Sequence, residues 1–321
     1  MNGANGAASR PGARLGLGLD AGGTQTRWAL ARDDGSLLAQ GQVAPIAGAQ
    51  LASADGRASV AAALAQAATE ARQHGAVNGV LAGVLAGVTG LGTEHAPALH
   101  ALLAQAFALP LAAVGSMSDI ELACHAAFAP GQGYVVYAGT GSIAAFIDEA
   151  GTLHRAGGRG AVIDDAGGGH WIARQALRRV WRAEDEDPGA WQQSTLARSL
   201  FDTLGGSDWA ATRQWVYGAT RGELGRLALA VAQAAHAGDG DALALLQDAG
   251  TELARLGLAL HRRLGARPVA LAGRVFELHP AIESALRRSL HAALPAGAAV
   301  QRITLQAHHT AARLAAAQGT P

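Results

Sequence analysis

In Leu19-Asp20-Ala21-Gly22-Gly23-Thr24 an acid precedes a turn of bare backbone that ends in a hydroxyl, and Gly139-Thr140-Gly141-Ser142 forms a second glycine turn with two hydroxyls. Without a Cβ, backbone amides can approach a ligand closely, and successive N–H groups form a concavity that suits an anion such as phosphate. No G-x-x-x-x-G-K-[ST] loop is present, and the run GLGLDAG is not followed by the helix of a dinucleotide fingerprint. What remains is a pair of strand-to-strand turns, each readable as a phosphate cradle or as a plain hairpin turn. Asp20 sits at the end of an apolar run, where an uncompensated carboxylate is costly. It either accepts hydrogen bonds from the turn amides or holds a divalent cation such as Mg²⁺, which takes one or two carboxylates beside water and substrate phosphates.

A third acid lies in Ser118-Asp119-Ile120-Glu121, where Ser118 and Glu121 have the spacing of a capping box. Asp119 then falls in the first helical turn. One reading is an acid that stabilises the helix dipole by roughly 0.3 to 1 kcal/mol. The other uses its place at the carboxyl end of a strand, where α/β proteins bind ligands and a carboxylate can accept a proton from an attacking hydroxyl. Further on, the glycine-dense loop AGGRGAVIDDAGGGHWIARQAL carries Asp164 and Asp165 into a helix. Its acids suit hydrogen bonds from a polyhydroxylated ligand, or they form a solvated cap for that helix. His170, His308 and His309 show no metal-ligand spacing and are expected to be structural or exposed.

The elements around these residues alternate. Leu15, Leu17 and Leu19 open a strand that turns at Gly22-Gly23 into TRWALA and then, through RDDGS, into a third strand. Gly133 to Gly158 repeats the arrangement, and the interval from Thr24 to Gly35 equals that from Thr140 to Gly151. Matched hairpins in each half predict two similar domains facing one another across a cleft. Between them the pattern predicts a helix over 58–72, a strand over 80–88, a helix over 96–107 and a short strand over 111–114. The second half is mainly helical, with a strand at RPVALAG, a helix at HPAIESALRRSLHAA, and a final strand and helix from Ile303 onward.

With 321 residues, half of them hydrophobic, the chain can fill two cores. Its formal net charge is zero, which favours neither nucleic acid nor an anionic membrane as partner. The run from Gly75 to Gly92 is too rich in glycine, and too polar at Asn78 and Thr89, for a membrane span. Residues 1–14 read as a disordered tail without the apolar core of a secretory signal. The single cysteine, Cys124, forms no internal disulfide and fits a reducing compartment, so a cytoplasmic location is expected.

Taken in order, LDAGGTQT, SMSD, AGTGS, AGGRGAVIDDAGGGHWIARQAL and VALAGRVFE resemble the BadF/BadG/BcrA/BcrD-type ATPase family, in its N-acetylglucosamine kinase-like branch, over nearly the whole chain. The family lies in the sugar kinase, actin and heat-shock chaperone superfamily. The resemblance therefore implies an α/β, two-domain actin-like ATPase (ribonuclease H-like) fold, each domain opening with a β-hairpin sheet, with an interdomain cleft. It implies an N-terminal domain over 15–118, completed by a C-terminal helix at about 308–321, and a C-terminal domain over 119–307.

The implied activity is ATP- and Mg²⁺-dependent phosphorylation of a hexose or amino sugar. By position, Asp20 would serve the magnesium, Gly22, Gly23 and Thr24 the phosphates, and Gly139, Thr140, Gly141 and Ser142 a second phosphate loop. Asp119 would be the catalytic base, Asp165, Thr89 and Gly90 would meet the sugar, and Gly273 the adenosine. The sequence departs from the branch at Arg159 (G-G-W-G), at Asp164, Ala166 and Gly168 (G-D-E-G-S) and at Ala272 (the first of two adenosine glycines), and GQVAPIAG lacks a sugar-contacting asparagine. The phosphate and base positions are kept, so phosphoryl transfer is expected and the sugar is left open, as is a homodimeric assembly. Two alternatives are an ATPase activator of the same family, whose iron-sulfur cluster needs paired cysteines, and a catalytically weak sugar-binding or sensing protein.

Overall fold

β1 (Arg14–Ala21) alternates Leu15, Leu17 and Leu19 with Gly16 and Gly18, so one face of the strand is apolar and the other nearly bare. The computed structural model, which describes residues 14–75, 79–295 and 297–317, uses both faces. Of the tail expected over 1–14, residues 1–13 lie outside the described residues, as does the end of the expected final helix at 318–321, whereas Arg14 is already the first residue of β1.

β2 (Thr26–Arg32) and β3 (Leu37–Val43) continue the hairpin, followed by α1 (Ala54–Gly75), β4 (Val80–Val88), α2 (Ala96–Phe107), β5 (Val114–Ser118) and α3 (Asp119–Ala127). The second hairpin is β6 (Tyr134–Ala138), β7 (Ser142–Ile147) and β8 (Leu153–Gly157). Six helices follow: α4 (Gly169–Glu186), α5 (Thr195–Leu204), α6 (Trp209–Gly218), α7 (Arg221–Arg226), α8 (Ala228–His236) and α9 (Gly240–Leu264). The chain closes with β9 (Val269–Ala272), α10 (Pro280–His291), β10 (Val300–Arg302) and α11 (Ala307–Ala317).

These elements form two compact units, 1–126 with 306–321, and 127–305. The division falls after Ala126 rather than before Asp119, because Leu122 of α3 packs over Gly87 of β4 and shares a buried cluster with Leu85 and α11. The first unit holds a sheet of order β3-β2-β1-β4-β5 and the second one of order β8-β7-β6-β9-β10, the same topology twice. In each, the first three strands are antiparallel and the last two join in parallel. The matched intervals have a physical basis. Gly35 and Gly151 both adopt left-handed backbone, φ 80° and 82°, and both amides close a four-residue turn at 2.9 Å, onto Arg32 and Asp148 carbonyls. An L side chain is strained in that conformation.

In the first unit the leucines of β1 join α1 and α2 in one core. The bare face receives α11 at backbone distance: a Cβ on Gly18 would lie 2.1 Å from the Ala312 amide nitrogen, and one on Gly16 2.1 Å from that of Ala316. Those glycines serve packing. The second unit's core gathers β6, β7, β9 and helices α4, α5, α8, α9 and α10. Strands β4 and helix α2 have the expected bounds, whereas α1 is longer at both ends. The short strand expected at 111–114 begins at Val114, since 111–113 form a 3₁₀ turn after Pro110 and the parallel pairing with Val84 to Val88 carries β5 to Ser118. Likewise the last strand precedes Ile303, because its three residues pair with β9. Among the described residues no helix is long and apolar enough to cross a membrane.

Candidate functional site

Parallel register places the carboxyl ends of β1, β4 and β5 in one row: Ala21 opposes Val88, and Val88 opposes Ser118. The turn Gly22-Gly23-Thr24, the pair Thr89-Gly90 and Asp119 each leave the sheet from that row. The structure thus gathers all the residues expected to act in this half at one edge. Asp20 is the last residue but one of β1 and is partly buried. Burial raises its carboxyl above the usual range, the negative charge of Asp119 raises it further, and Arg27 opposes both. A half-buried acid beside a second acid is a site that a divalent cation relieves, and one carboxylate with water and phosphate oxygens is the donor set Mg²⁺ accepts.

The first turn is closed by the Gly22 amide donating to the Gln25 carbonyl at 3.1 Å. Neither glycine has left-handed backbone, and a Cβ on Gly23 would meet nothing within 4 Å. The fold of this unit therefore does not demand Gly23, and its small size keeps the surface of the turn open. Thr24 is exposed. The amide of Thr89 ties the end of β4 to Ala21 at 3.0 Å, its carbonyl accepts from Gly48, and Gly90 turns outward with φ 64°. Ser118 accepts from the Glu121 amide at 3.3 Å, as the capping spacing anticipates. Asp119 Oδ1 accepts from the Ile120 amide at 2.9 Å, which orients a partly buried carboxylate at the head of α3.

In the second unit the turn between β6 and β7 is held from several sides. The Gly139 amide bonds the Gly141 carbonyl at 2.9 Å, while α4 donates its first amides back to the turn, Gly169 to the Gly139 carbonyl at 2.8 Å and His170 to that of Thr140 at 3.0 Å. Ser142 is buried, and its hydroxyl donates to the Ala166 carbonyl at 2.6 Å, so this hydroxyl joins the turn to the acidic loop. Thr140 stays partly exposed. Gly273 follows β9 with φ 103°, and a Cβ there would lie 2.2 Å from the Ala138 carbonyl oxygen. Because Ala272 pairs with Tyr137, Gly273 and the Gly139 turn leave the same edge of the second sheet.

Asp165 is 5% exposed and is ion-paired with Arg221, the first residue of α7. Burial raises its carboxyl, with Arg221 opposing. Asp164 turns the other way: one oxygen accepts from the Ala166 amide at 3.1 Å and the other from Arg255 of α9 at 2.8 Å. Arg159 is exposed at the loop's far end. Of the histidines, His308 is buried, His309 is partly exposed, and both approach Gln40. Arg221 carried no sequence signal of its role. Thr220 to Glu223 has capping-box spacing, which marks a helix start, but nothing local pairs Arg221 with an acid 56 positions earlier.

The sequence profile of the BadF/BadG/BcrA/BcrD ATPase family matches residues 17–312. A search of curated protein sequences found no match. Among solved structures, the chain resembles a candidate N-acetylglucosamine kinase from Chromobacterium violaceum, 27% identical, with TM-score 0.72 over 94% of this chain and 99% of that one. It also resembles a candidate N-acetylglucosamine kinase from Porphyromonas gingivalis, 16% identical, TM-score 0.62, over 93% and 97% of the two chains. A ROK family glucokinase from Streptomyces griseus, solved with glucose and AMPPNP, is 20% identical, TM-score 0.54, over 94% and 98%. The fold is accordingly the α/β two-domain fold of these sugar kinases, built on two mixed sheets.

Proposed function

This chain belongs to the BadF/BadG/BcrA/BcrD ATPase family, and from that premise we propose that it is a kinase that transfers the γ-phosphoryl group of ATP to a hydroxyl of a hexose or amino sugar. The observation that carries the reading is the meeting of Asp20 and Asp119 at one sheet edge, beside a glycine turn whose openness the fold itself does not require. The names of the similar structures, candidate N-acetylglucosamine kinases and a glucokinase, support the substrate class.

In this reading Asp119 is the general base. Its Oδ1 bond to Ile120 orients the carboxylate, which accepts the hydroxyl proton as the sugar oxygen attacks the γ-phosphorus and ADP leaves. Asp20 would hold Mg²⁺, which when bound neutralises charge on the phosphate oxygens. Within the first unit the amides of Gly22, Gly23 and Thr24 would orient phosphate oxygens; within the second, Gly139, Thr140 and Gly141 would form a phosphate loop, with Gly273, which leaves the same sheet edge, at the adenosine. Thr89 and Gly90, at the same edge as Asp119, would line the sugar's place. Catalysis then rests on positioning and electrostatics.

The activator reading within the family fits this chain less well. Its one cysteine, Cys124, is buried, and burial together with Glu121 pushes its thiol up to about 12, which opposes thiolate ligation of a cluster. The deciding experiment is ADP release from the purified protein with ATP and Mg²⁺ across glucosamine, N-acetylglucosamine and glucose, with mass analysis of the products. Sugar-stimulated turnover is expected. A folded protein that binds nucleotide yet phosphorylates none of them would sink the kinase and favour a binding protein.

A further inference from the structure

We propose that Arg221 contacts a nucleotide phosphate seated on the turn between β6 and β7, and that Asp165 is its positioning partner rather than a sugar ligand. This rests on the kinase reading above and deepens it.

The ion pair is built onto the turn. A Cβ on Gly141 would lie 2.5 Å from Arg221 Nη2 and 2.7 Å from Asp165 Oδ2, so the bare Cα of Gly141 is what lets the pair sit against the backbone. Gly141 has no left-handed backbone to explain its identity otherwise. From the other side, a Cβ on Gly225 of α7 would lie 3.4 Å from Thr140 Cγ2 and from the His170 amide nitrogen. Helix α7 thus rides on the turn, held by a capping box in which Thr220 accepts from the Glu223 amide and Glu223 from that of Thr220.

The chemistry of the two partners is unequal. The Asp165 side chain is 4% exposed, whereas that of Arg221 is 48% exposed. A buried carboxylate needs its cation. A guanidinium does not exhaust itself on one oxygen: it has five donors, and among the described residues its hydrogen bond to Asp165 uses Nη2 alone. The unspent, solvent-facing part of the fork is the geometry that takes phosphate oxygens. Burial first, then the charges of Arg221 and Arg174, hold the His170 imidazole below its ordinary value against the opposing charge of Asp165, so the head of α4 also senses the Arg221 guanidinium. The mid-chain acid that would meet sugar in the family is here committed to holding that charge in place.

The test is calorimetric binding of ADP, and separately of adenosine, to the full-length protein and its variants. Arg221→Gln should weaken ADP by about 10- to 100-fold, as the loss of a charge-assisted hydrogen bond implies, and leave adenosine unchanged. Arg221→Lys should recover part of the loss. Asp165→Asn should shift ADP affinity in the wild-type background and have no further effect in Arg221→Gln. The proposal is overturned if Arg221→Gln binds ADP as the wild type does, if adenosine and ADP weaken together, or if the wild type binds no ADP. An Asp165→Asn effect that is the same in both backgrounds, or absent from both, overturns the positioning role. A wild type that binds ADP with this pattern but phosphorylates no sugar would reject the kinase and leave the phosphate contact standing.

Discussion

Asp20 and Asp119 leave strands that are not neighbours, β1 and β5, yet β4 sets all three strand ends in one row, and burial first and the charge of Asp119 second raise the Asp20 carboxyl. The two acids have different surroundings and are expected to separate in function.

Replacing Asp119 by Asn keeps the size of the side chain and removes the base. Turnover should fall by about 10²- to 10⁴-fold, the range that a positioned general base contributes, with ADP affinity little changed. Steady-state kinetics and calorimetry on the same preparation check this, and an equal loss of both would remove Asp119 from the base role.

Asp20 carries a sign that can be read from pH. Its folded carboxyl titrates above the unfolded value, so the favourable contribution is present below about pH 4 and is lost as pH rises through the folded value. In ligand-free protein, Asp20→Asn should therefore raise the melting temperature at neutral pH, and the gain should vanish near pH 4. Mg²⁺ with ADP should stabilise the wild type more than this variant. Identical pH profiles for the two proteins would contradict the buried, acid-coupled setting of Asp20.

Gly18 faces the backbone of α11 with no room for a methyl group. The neighbour is a helix main chain rather than a flexible side chain. Gly18→Ala should cost about 1–3 kcal/mol through overpacking, visible in urea unfolding, and Gly16→Ala should act alike.

His308 of α11 is 4% exposed and burial pushes it down to about 4, with His309 and Arg27 adding to the effect. The unfolded group protonates near pH 6.5 while the folded one stays neutral, so stability present above pH 6.5 is lost as pH falls toward 4. The loss attributable to this residue is about 1–3 kcal/mol after allowing for solvent screening. His308→Gln should flatten the acid limb of the stability curve, and an unchanged limb would refute this.

Ser142 spends its hydroxyl on the Ala166 carbonyl in a buried place. Ser142→Ala should cost about 1–3 kcal/mol by leaving that carbonyl unpaired, and hydrogen exchange should show the loop around Ala166 opening more often.

Much was legible along the chain because it was local. Strand periodicity, the turn glycines at 35 and 151, the capping serine and the bounds of β4 and α2 depend on neighbours within a few residues. The bounds of β5 are set by its pairing with β4, and α3 joins the first unit through Gly87 and α11, contacts that no local pattern encodes.

By itself, then, the sequence determined the duplicated hairpins, the glycine turns and the acids that end strands, since residue type and spacing dictate backbone conformation directly. The tertiary structure alone decided that Gly16 and Gly18 admit α11, about 300 positions further along the chain, rather than a ligand, that Ser142 bonds Ala166, and that Asp165 belongs to Arg221. Those outcomes depend on which distant surfaces exclude water against one another and which buried charge finds its counter-ion, and neither is encoded in any short stretch of the chain.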